Sequence, residues 1–365
     1  MEIYKVGGYV RDKLLGLTPA DCDYVVVGAT REEMLAQGYI QVGKYFPVFL
    51  HPKTREEYAL ARSEVKNGQR HQDFTINTSP EISLEEDLSR RDLTINAIAE
   101  DKNGNLIDPY GGIKDLKLKT LRHISKAFKD DPLRILRVAR FAATLGFEVA
   151  SETMLLLKEM AAEKSGHHIS RERIVRELEI AFDAKFTSNF FYTLSNSNNL
   201  EIFFPNLFLS PTSDSLKKLA FFLDNAENSA QKYTALSILI ARDPKLIKLV
   251  SLNKRQIAYI RNSKDIYDNL EINMNSQDIL ALLKKTNSLR DLEVFENIIT
   301  NLQWFVQISN APAWQKLELR ILLRSAKALQ YIPKQLIAEK IANHDIIERI
   351  HKWQLETISV IIHTV

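Results

Sequence analysis

Two aspartates with one residue between them lie directly before an apolar segment near the start of the chain. The order is Asp21-Cys22-Asp23 and then residues 24–27, which are Tyr-Val-Val-Val. On an extended segment alternate side chains share a face, so both carboxylates point the same way and could hold divalent metal ions, for which Mg²⁺ suits oxygen ligands best. A solvated turn before a strand is the commoner meaning of an isolated pair. Glu57, on a later predicted strand, is left outside the predicted metal ligands, because an exposed strand charge explains it equally well.

A pair of glycines precedes the aspartates and changes their interpretation. Gly7 and Gly8 follow the first predicted strand and come before a short predicted helix that contains Arg11. In a strand–turn–helix unit of this kind, backbone N–H groups and the positive helix N-terminus can approach a triphosphate, and an arginine adds a charge-assisted contact. A double glycine alone is often only a tight turn. Together with the aspartate pair it indicates a metal–triphosphate site for phosphoryl chemistry.

Arginines recur in two further segments. Arg90-Arg91-Asp92 precedes the apolar residues 93–98 and could recognise a phosphate and a ribose hydroxyl, although such a cluster is more often a charged helix start.

The second segment begins with Asp131 and a proline suited to a first helical turn. Arg134, Arg137 and Arg140 follow at intervals of three, which places them along one side of the predicted helix. The alternative is that the aspartate only caps the helix and the three arginines are solvated. The stripe favours phosphate binding, and the neighbouring aspartate and arginine could present an acceptor and a donor to the edge of a base.

The elements that must position these residues divide the chain into two parts. All 12 glycines lie at or before Gly166, so tight hairpins are not expected after that point. The first part is predicted to be mixed, and a long helical pattern begins at Asp131. The predicted elements are strands at 3–6, 24–27, 48–50 and 57–61, helices at 10–15 and 31–36, a hairpin turn at Asn103-Gly104, and helices at 215–223, 277–283 and 292–305. The fold expected is a small α/β head followed by an all-α neck and body.

Composition sets outer limits on the class of protein. The chain has 365 residues, 45% of them hydrophobic, which predicts two or three domains and excludes a disordered polypeptide. The single cysteine, Cys22, excludes an internal disulfide and any cysteine-based zinc or iron–sulfur site, and it predicts a reducing, cytoplasmic location. No run of residues is apolar and long enough to span a membrane. A net charge of +3 permits nucleic-acid binding without indicating it.

These segments occur in an order typical of one family. The motifs are Gly7-Gly8-Tyr9-Val10-Arg11-Asp12, Asp21-Cys22-Asp23, Arg90-Arg91-Asp92-Leu93-Thr94-Ile95-Asn96-Ala97, Asp108-Pro109-Tyr110-Gly111-Gly112, Asp130-Asp131-Pro132-Leu133-Arg134 and Ser170-Arg171-Glu172-Arg173. The set resembles the class II tRNA nucleotidyltransferases, the bacterial and eukaryotic CCA-adding enzymes of the DNA polymerase β superfamily. The resemblance covers roughly residues 1–210 and is greatest to the gammaproteobacterial form.

The resemblance implies a fold and a division into domains. The fold would be α+β, with a polymerase-β-like nucleotidyltransferase head at residues 1–122. A helical neck with a base-templating helix would follow at 123–210, and an all-α body and tail at 211–365 would bind the acceptor arm and elbow of tRNA.

The resemblance also implies the reaction and its first set of site residues. The enzyme would add C, C and A to tRNA 3′ ends from CTP and ATP and release pyrophosphate. Asp21 and Asp23 would hold two Mg²⁺ ions, one at the tRNA 3′-hydroxyl and one at the leaving pyrophosphate. Gly8 and Arg11 would contact the nucleotide.

The remaining site residues implied by the resemblance belong to the arginine segments. Arg91 would bind the nucleotide, with Asp92 near its ribose 2′-hydroxyl. The protein template for the base would be Asp131 together with Arg134. The pocket would be completed by Arg137 and Arg140.

Several alternatives remain open within and outside this family. The bacterial relatives carry a His-Asp phosphohydrolase domain, but none of the 8 histidines lies between residues 169 and 343, so no such site is expected. A CC-adding, A-adding or poly(A) polymerase is possible, although residues 61–81 resemble the flexible loop that CC-adding enzymes lack. The alternative outside the enzymes is a non-catalytic RNA-binding protein descended from such a polymerase.

Overall fold

The computed structural model describes residues 1–19, 21–42, 48–66, 74–204, 214–240, 254–336 and 343–364. The chain separates into two compact units, Met1–Pro211 and Thr212–Val365. The first unit contains a mixed sheet followed by helices, and the second is helical throughout its described part. This arrangement confirms the α+β class predicted from the sequence. The domain boundaries predicted at residues 122 and 210 stay predictions.

A seven-stranded sheet forms the head. Its strands are β1 (Glu2–Val6), β2 (Asp23–Val27), β3 (Ile40–Val42), β4 (Val48–Leu50), β5 (Glu57–Leu60), β8 (Ala99–Glu100) and β9 (Leu106–Ile107). Their order is β3-β4-β5-β2-β1-β8-β9, with only β2 and β5 parallel. Two separate pairs complete the unit: β6 (Ser63–Lys66) with β7 (Phe74–Asn77), and β10 (Thr120–Leu121) with β11 (Glu148–Val149).

The sheet is buried on both faces, which explains its apolar central strands. Val25 packs with Val6 and Leu88 on one face, whereas Val26 packs with Met34 and Phe49 on the other. Consecutive strand residues point to opposite faces, so the unbroken apolar run after the aspartates is what a doubly covered strand requires.

The first unit contains nine α-helices in its described part. Four of them occur between strands β1 and β10, and the other five follow later in the chain. The nine are α1 (Gly8–Leu14), α2 (Arg31–Ala36), α3 (Leu84–Ser89), α4 (Gly112–Lys117), α5 (Leu133–Leu145), α6 (Ser151–Ala162), α7 (Arg171–Asp183), α8 (Thr187–Asn196) and α9 (Leu200–Phe203). Helix α5 carries the arginine stripe, and its buried side includes Ile135, Leu136 and Val138. It ends at Gly146, whose left-handed conformation closes the last turn.

The predicted elements agree with the described structure at their centres. The strands predicted at 3–6, 24–27, 48–50 and 57–61 and the hairpin around Asn103-Gly104 are present within one or two residues. Strands β3, β10 and β11, which have only two or three residues each, are not among the predicted elements, and residues 61–81 are predicted to be a loop. Within that range β6 and β7 pair in antiparallel fashion, while residues 67–73 lie outside the described part.

The second unit is a group of packed helices. They are α10 (Asp214–Asn225), α11 (Ser229–Ile240), α12 (Lys254–Asp268), α13 (Ser276–Lys285), α14 (Leu292–Ile308), α15 (Ala313–Ala328) and α16 (Asn343–Thr364). Leu283, Leu302 and Leu322 lie in its main core, and Phe222 stacks on Phe305 with ring centroids 4.2 Å apart. None of the helices in the described residues is long and apolar enough to traverse a bilayer.

Gly112, at the start of α4, generates a first prediction. A β-carbon there would lie 2.2 Å from the carbonyl oxygen of Thr94 and 2.8 Å from the side chain of Ile98. Because a backbone atom cannot move aside cheaply, we expect Gly112→Ala to lower the free energy of unfolding of the head by about 3 kcal/mol.

Hydrogen exchange measures this effect, because all three tryptophans, Trp304, Trp314 and Trp353, lie in the second unit and do not report on the head. The control is Gly104→Ala, where a β-carbon meets nothing within 4 Å and only the positive φ of 86° is strained. It should cost about 1 kcal/mol. Equal exchange in the two variants would contradict the close packing of α4.

Candidate active site

A cavity of about 700 Å³ lies in the first unit, where the adjoining ends of β1 and β2 face helix α5. Its volume falls in the range of small-molecule binding sites. All ten site residues predicted from the sequence line it: Gly8, Arg11, Asp21, Asp23, Arg91, Asp92, Asp131, Arg134, Arg137 and Arg140. The structure therefore brings together segments from Gly8 to Arg140, which are 132 residues apart. The role of each residue stays a prediction.

Strand pairing places the glycine turn beside the aspartates. Val6, the last residue of β1, lies opposite Asp23, the first residue of β2. Gly7, directly after Val6, has a positive φ of 70°, which glycine adopts without strain. Its missing side chain also admits Arg91, since a β-carbon at Gly7 would lie 3.1 Å from the Arg91 Nη1 atom. The turn thus allows a close approach between its backbone and Arg91.

The aspartate pair is a suitable donor set for a divalent cation. Asp21 precedes β2 and Asp23 begins it, and both line the cavity. Reduced hydration raises the pKa of Asp23 most, the charge of Asp21 raises it further, and Arg91 opposes the rise. A cation bound between the carboxylates would remove this repulsion, and carboxylate oxygen is the ligand type that Mg²⁺ prefers. Glu57 lies opposite Asp23 in the parallel β2–β5 pair, and the two line a neighbouring cavity of about 210 Å³.

Asp92 joins the head to the arginine helix. Its side chain is buried and accepts hydrogen bonds from the Leu93 N–H at 2.8 Å, Asn96 Nδ2 at 2.9 Å and Arg137 Nε at 2.7 Å. Burial alone would raise the pKa of Asp92, but the charge of Arg137 and the donated hydrogen bonds hold it well below its usual range. Asn96 also accepts from Arg11 Nη1 at 2.7 Å, so α1, the segment after α3 and α5 meet in one network.

The two residues predicted to select the base are held by neighbours from other elements. Asp131 Oδ2 accepts from Arg173 Nη2 at 3.0 Å, and Asp131 Oδ1 accepts from the Leu133 N–H at 3.1 Å. The Arg134 guanidinium donates to the carbonyl oxygens of Ala127 at 3.0 Å and Arg90 at 2.5 Å. Both side chains therefore have defined directions.

Three arginines surround one aromatic ring in the wall of the cavity. The guanidinium carbons of Arg11, Arg137 and Arg140 lie 5.1, 5.5 and 4.1 Å from the ring centroid of Phe141. Arg140 also donates to the buried carboxylate of Glu177 at 2.5 Å. The negative face of the ring attracts cations, so Phe141 reduces the cost of bringing these charges together.

The charge of the lining indicates the class of ligand. Eight arginines and four aspartates line the cavity, an excess of four positive charges at neutral pH. Two of the aspartates are the proposed cation ligands, so the remaining lining is strongly basic. Arginine is the side chain best suited to bidentate contacts with phosphate, and the cavity is therefore suited to a ligand with several phosphate groups.

The structure adds lining residues that the sequence analysis did not select. Besides the predicted set, the cavity is lined by Gly7, Arg62, Arg90, Asn96, Leu133, Phe141 and Arg173. Most of them lie within the motifs recognised in the sequence. Their closeness in the chain to a predicted site residue could therefore have identified them as lining residues. Arg62 is different, because it lies in the loop predicted at 61–81 with no predicted role, and it reaches the cavity through the position of β5 and β6.

Comparisons with known proteins show what this fold is similar to. Residues 3–122 match the model of the Poly A polymerase head domain family. The match spans the seven-stranded sheet and the helices packed on it.

Solved structures extend the likeness over the whole chain. The CCA-adding enzyme of Bacillus stearothermophilus in complex with CTP matches with a TM-score of 0.66 and 24% identity, over 100% of this chain and 88% of that one. The Thermotoga maritima CCA-adding enzyme complexed with tRNA matches with a TM-score of 0.66 and 22% identity, over 99% and 90%. A CCA-adding enzyme with ATP matches with a TM-score of 0.69 and 23% identity, over 98% and 86%.

These findings confirm the resemblance drawn from the sequence. Residues 3–122 are similar to Poly A polymerase head domains, and the chain shares the fold of solved CCA-adding enzymes. The gammaproteobacterial subtype stays a prediction.

The expected lack of a His-Asp phosphohydrolase site also stays a prediction. Across the described side chains, no group of three or more histidine, cysteine, aspartate or glutamate residues is arranged to hold a metal ion. The side chain of His344 lies outside the described ones.

The Asp92–Arg137 pair yields a prediction with a defined pH dependence. Because the pKa of Asp92 is held below its ordinary value of 3.8, its ionised form stabilises the folded state above that pH, and the contribution is lost as the pH falls further. Asp92→Asn leaves Arg137 half-buried without its partner. We expect it to lower the free energy of unfolding at pH 7 by about 3 kcal/mol.

Hydrogen exchange of α5, corrected for intrinsic rates at each pH, gives the measurement. The variant should be less stable than the natural protein by the same amount at pH 7 and pH 5, and the difference should narrow only as the pH falls below 3.8. Asp183→Asn, at an exposed position on α7, is the control and should change stability little at any pH. A difference that persists undiminished at pH 2 would argue against an ion pair as its cause.

Proposed function

We propose that this protein is a template-independent tRNA nucleotidyltransferase that adds CCA to tRNA 3′ ends from CTP and ATP with release of pyrophosphate. The observation that carries the proposal is the single cavity that collects the aspartate pair, the glycine turn and the arginines of α5. Support comes from the fold shared with CCA-adding enzymes whose structures hold CTP, ATP or tRNA.

In this proposal the head end of the cavity binds the triphosphate. Asp21 and Asp23 would hold Mg²⁺. When bound, Mg²⁺ would lower the pKa of the tRNA 3′-hydroxyl and neutralise charge on the leaving pyrophosphate. Gly8 would offer a backbone N–H to a phosphate oxygen, and Arg11 and Arg91 would donate charge-assisted hydrogen bonds to the triphosphate. Because these donors are held by neighbouring residues before the ligand enters, binding would require little reordering of the site.

The α5 end would read the base and the sugar. Asp92 would accept from the ribose 2′-hydroxyl. Asp131 would accept from the exocyclic amino group that C and A share, and Arg134 would donate to the adjacent ring nitrogen. U and G carry a carbonyl and a ring N–H at those places, so each would leave an unmatched pair of groups. Arg137 and Arg140 would complete the pocket.

The helical second unit is the proposed binding region for tRNA. Contacts to the phosphates of the acceptor arm and elbow would come from lysines and arginines, and affinity would fall steeply with salt. A-form RNA is recognised by shape and backbone rather than by sequence, which suits an enzyme that must accept every tRNA. A cytoplasmic location, proposed from the single cysteine, agrees with this substrate.

Nucleotide incorporation tests the proposed function directly. A tRNA transcript that ends at the discriminator base is incubated with the protein, Mg²⁺ and labelled CTP or ATP, singly and together, and products are separated on a sequencing gel. We expect two additions with CTP alone and three only with both nucleotides. Asp21→Ala/Asp23→Ala should give no product above background, because it removes the proposed cation ligands.

Other product patterns would select one of the alternatives. Addition of two C residues from CTP, with no A from ATP, would indicate a CC-adding enzyme. Addition of one A to a transcript that already ends in CC, with no addition to the transcript that ends at the discriminator base, would indicate an A-adding enzyme. A long tail of A residues would indicate a poly(A) polymerase. Binding of tRNA without any incorporation would leave the non-catalytic RNA-binding descendant as the better interpretation.

Base selection gives a second, independent prediction. Asp131→Asn replaces one acceptor oxygen by an amide that can donate, so the site can pair with the carbonyl groups of U and G. We expect incorporation of UTP or GTP relative to CTP or ATP to rise by about tenfold or more, measured as the ratio of kcat/KM values.

The neighbouring Asp130 provides a matched control. Asp130→Asn makes the same chemical change one residue earlier, at a position outside the described lining of the cavity. It should leave the selection ratio unchanged. If both variants or neither altered the ratio, the proposed acceptor role of Asp131 would be wrong.

A further inference from the structure

Asp87 is a buried carboxylate directly behind the cavity. It lies on α3, its side chain is 0% exposed, and it is not among the described residues that line the cavity. A buried charge is unfavourable unless it is paired and hydrogen-bonded, so a carboxylate in this position requires an explanation.

Every hydrogen bond described for the Asp87 side chain comes from a residue that does line the cavity. Its Oδ1 atom accepts from Arg90 Nη2 at 2.7 Å, from Arg90 Nε at 3.1 Å and from the Arg62 backbone N–H at 3.2 Å. Its Oδ2 atom accepts from Arg91 Nη2 at 3.2 Å. Arg62, Arg90 and Arg91 also line the neighbouring smaller cavity. One carboxylate thus fixes a backbone position and two guanidinium groups on the same wall.

The contacts of Asp87 reach the two ends of the cavity. Toward the glycine turn, Arg91 is the arginine that a β-carbon at Gly7 would meet. Toward α5, the carbonyl oxygen of Arg90 accepts from Arg134 at 2.5 Å. The position of α3, which Asp87 ties to Arg62, therefore affects both the proposed triphosphate contacts and the proposed base-reading arginine.

We propose that Asp87 is a positioning residue for nucleotide binding, which acts by holding Arg90, Arg91 and the chain at Arg62 in the orientation that the triphosphate requires. The inference rests on the proposed function and adds a residue that touches no substrate itself. An aspartate suits this task because its two oxygens can bind separate arginines, and its short side chain fixes the donors to the end of α3.

Two substitutions at Asp87 separate positioning from folding. In Asp87→Asn one oxygen becomes an amide that cannot accept from an arginine, so one guanidinium loses its hydrogen bond to residue 87. Asp87→Glu keeps the charge but moves it by a methylene, which reorients both arginines and keeps them paired. Displacements of about 1 Å in a binding constellation can change rates by up to about 100-fold.

The measurements are the KM for CTP, kcat on the tRNA transcript that ends at the discriminator base, the Kd for CTP with Mg²⁺, and the thermal unfolding midpoint. For both variants we expect the KM and the Kd to rise by about tenfold, while kcat changes by less than about threefold. A residue with a purely structural role would lower the unfolding midpoint and the active fraction without changing the KM of the folded molecules.

Glu100 supplies a matched control in the same unit. It is a buried carboxylate on β8 that pairs with Lys13 at 2.7 Å and lies outside the described lining of the cavity. Glu100→Gln removes a buried, paired charge as Asp87→Asn does, and it should lower the unfolding midpoint while leaving the KM for CTP within about twofold.

The outcomes are distinguishable from failure of the proposed function. No incorporation by the natural protein overturns the function, and the inference falls with it. CCA addition by the natural protein, with KM unchanged in the Asp87 variants, overturns the inference alone. If neither Asp87 variant folds while Glu100→Gln does, Asp87 is required for folding and the positioning role is rejected.

Discussion

Mutual repulsion among eight arginines around one cavity is the constraint on which the first unit depends. Two like charges 4 Å apart at a protein surface repel by roughly 4 kcal/mol, so the cluster is stable only where negative charge lies among or behind it. Asp92 and Glu177 accept from arginines of α5, and Asp87 accepts from the two arginines that follow α3. These carboxylates are buried, so solvent screens their attraction little.

The same ion pairs determine how the elements of the first unit are joined. Asp92 belongs to the segment after α3, whereas its partner Arg137 belongs to α5, 45 residues further along the chain. Arg173 of α7 binds Asp131 at the start of α5, so that helix is held from two directions. The attraction that makes the arginine cluster possible is therefore also what sets its shape. A ligand rich in phosphate would meet donors that are already oriented.

The agreement between sequence and structure follows the strength of the local signals. The strand after the aspartate pair is apolar without interruption because it is covered on both faces, and α5 has a proline at its start and Gly146 at its end. These features are local and strong, so they were predictable. Strands β3, β10 and β11, which were not predicted, have two or three residues each, and β10 pairs with β11 across the whole of helix α5. Such short segments carry no periodicity of their own.

The sequence by itself determined the chemistry that is available: two carboxylates before a strand, a glycine turn ahead of them, and arginines in two segments. It also determined the mixed head and the helical remainder, because hydrophobic periodicity and glycine placement are properties of neighbouring residues. Only the tertiary structure decided which arginine each carboxylate holds, that Phe141 lies against three guanidinium groups, and that Arg62 and Asp87 take part at all. Those pairings depend on distances between segments far apart in the chain, and a linear pattern does not contain such distances.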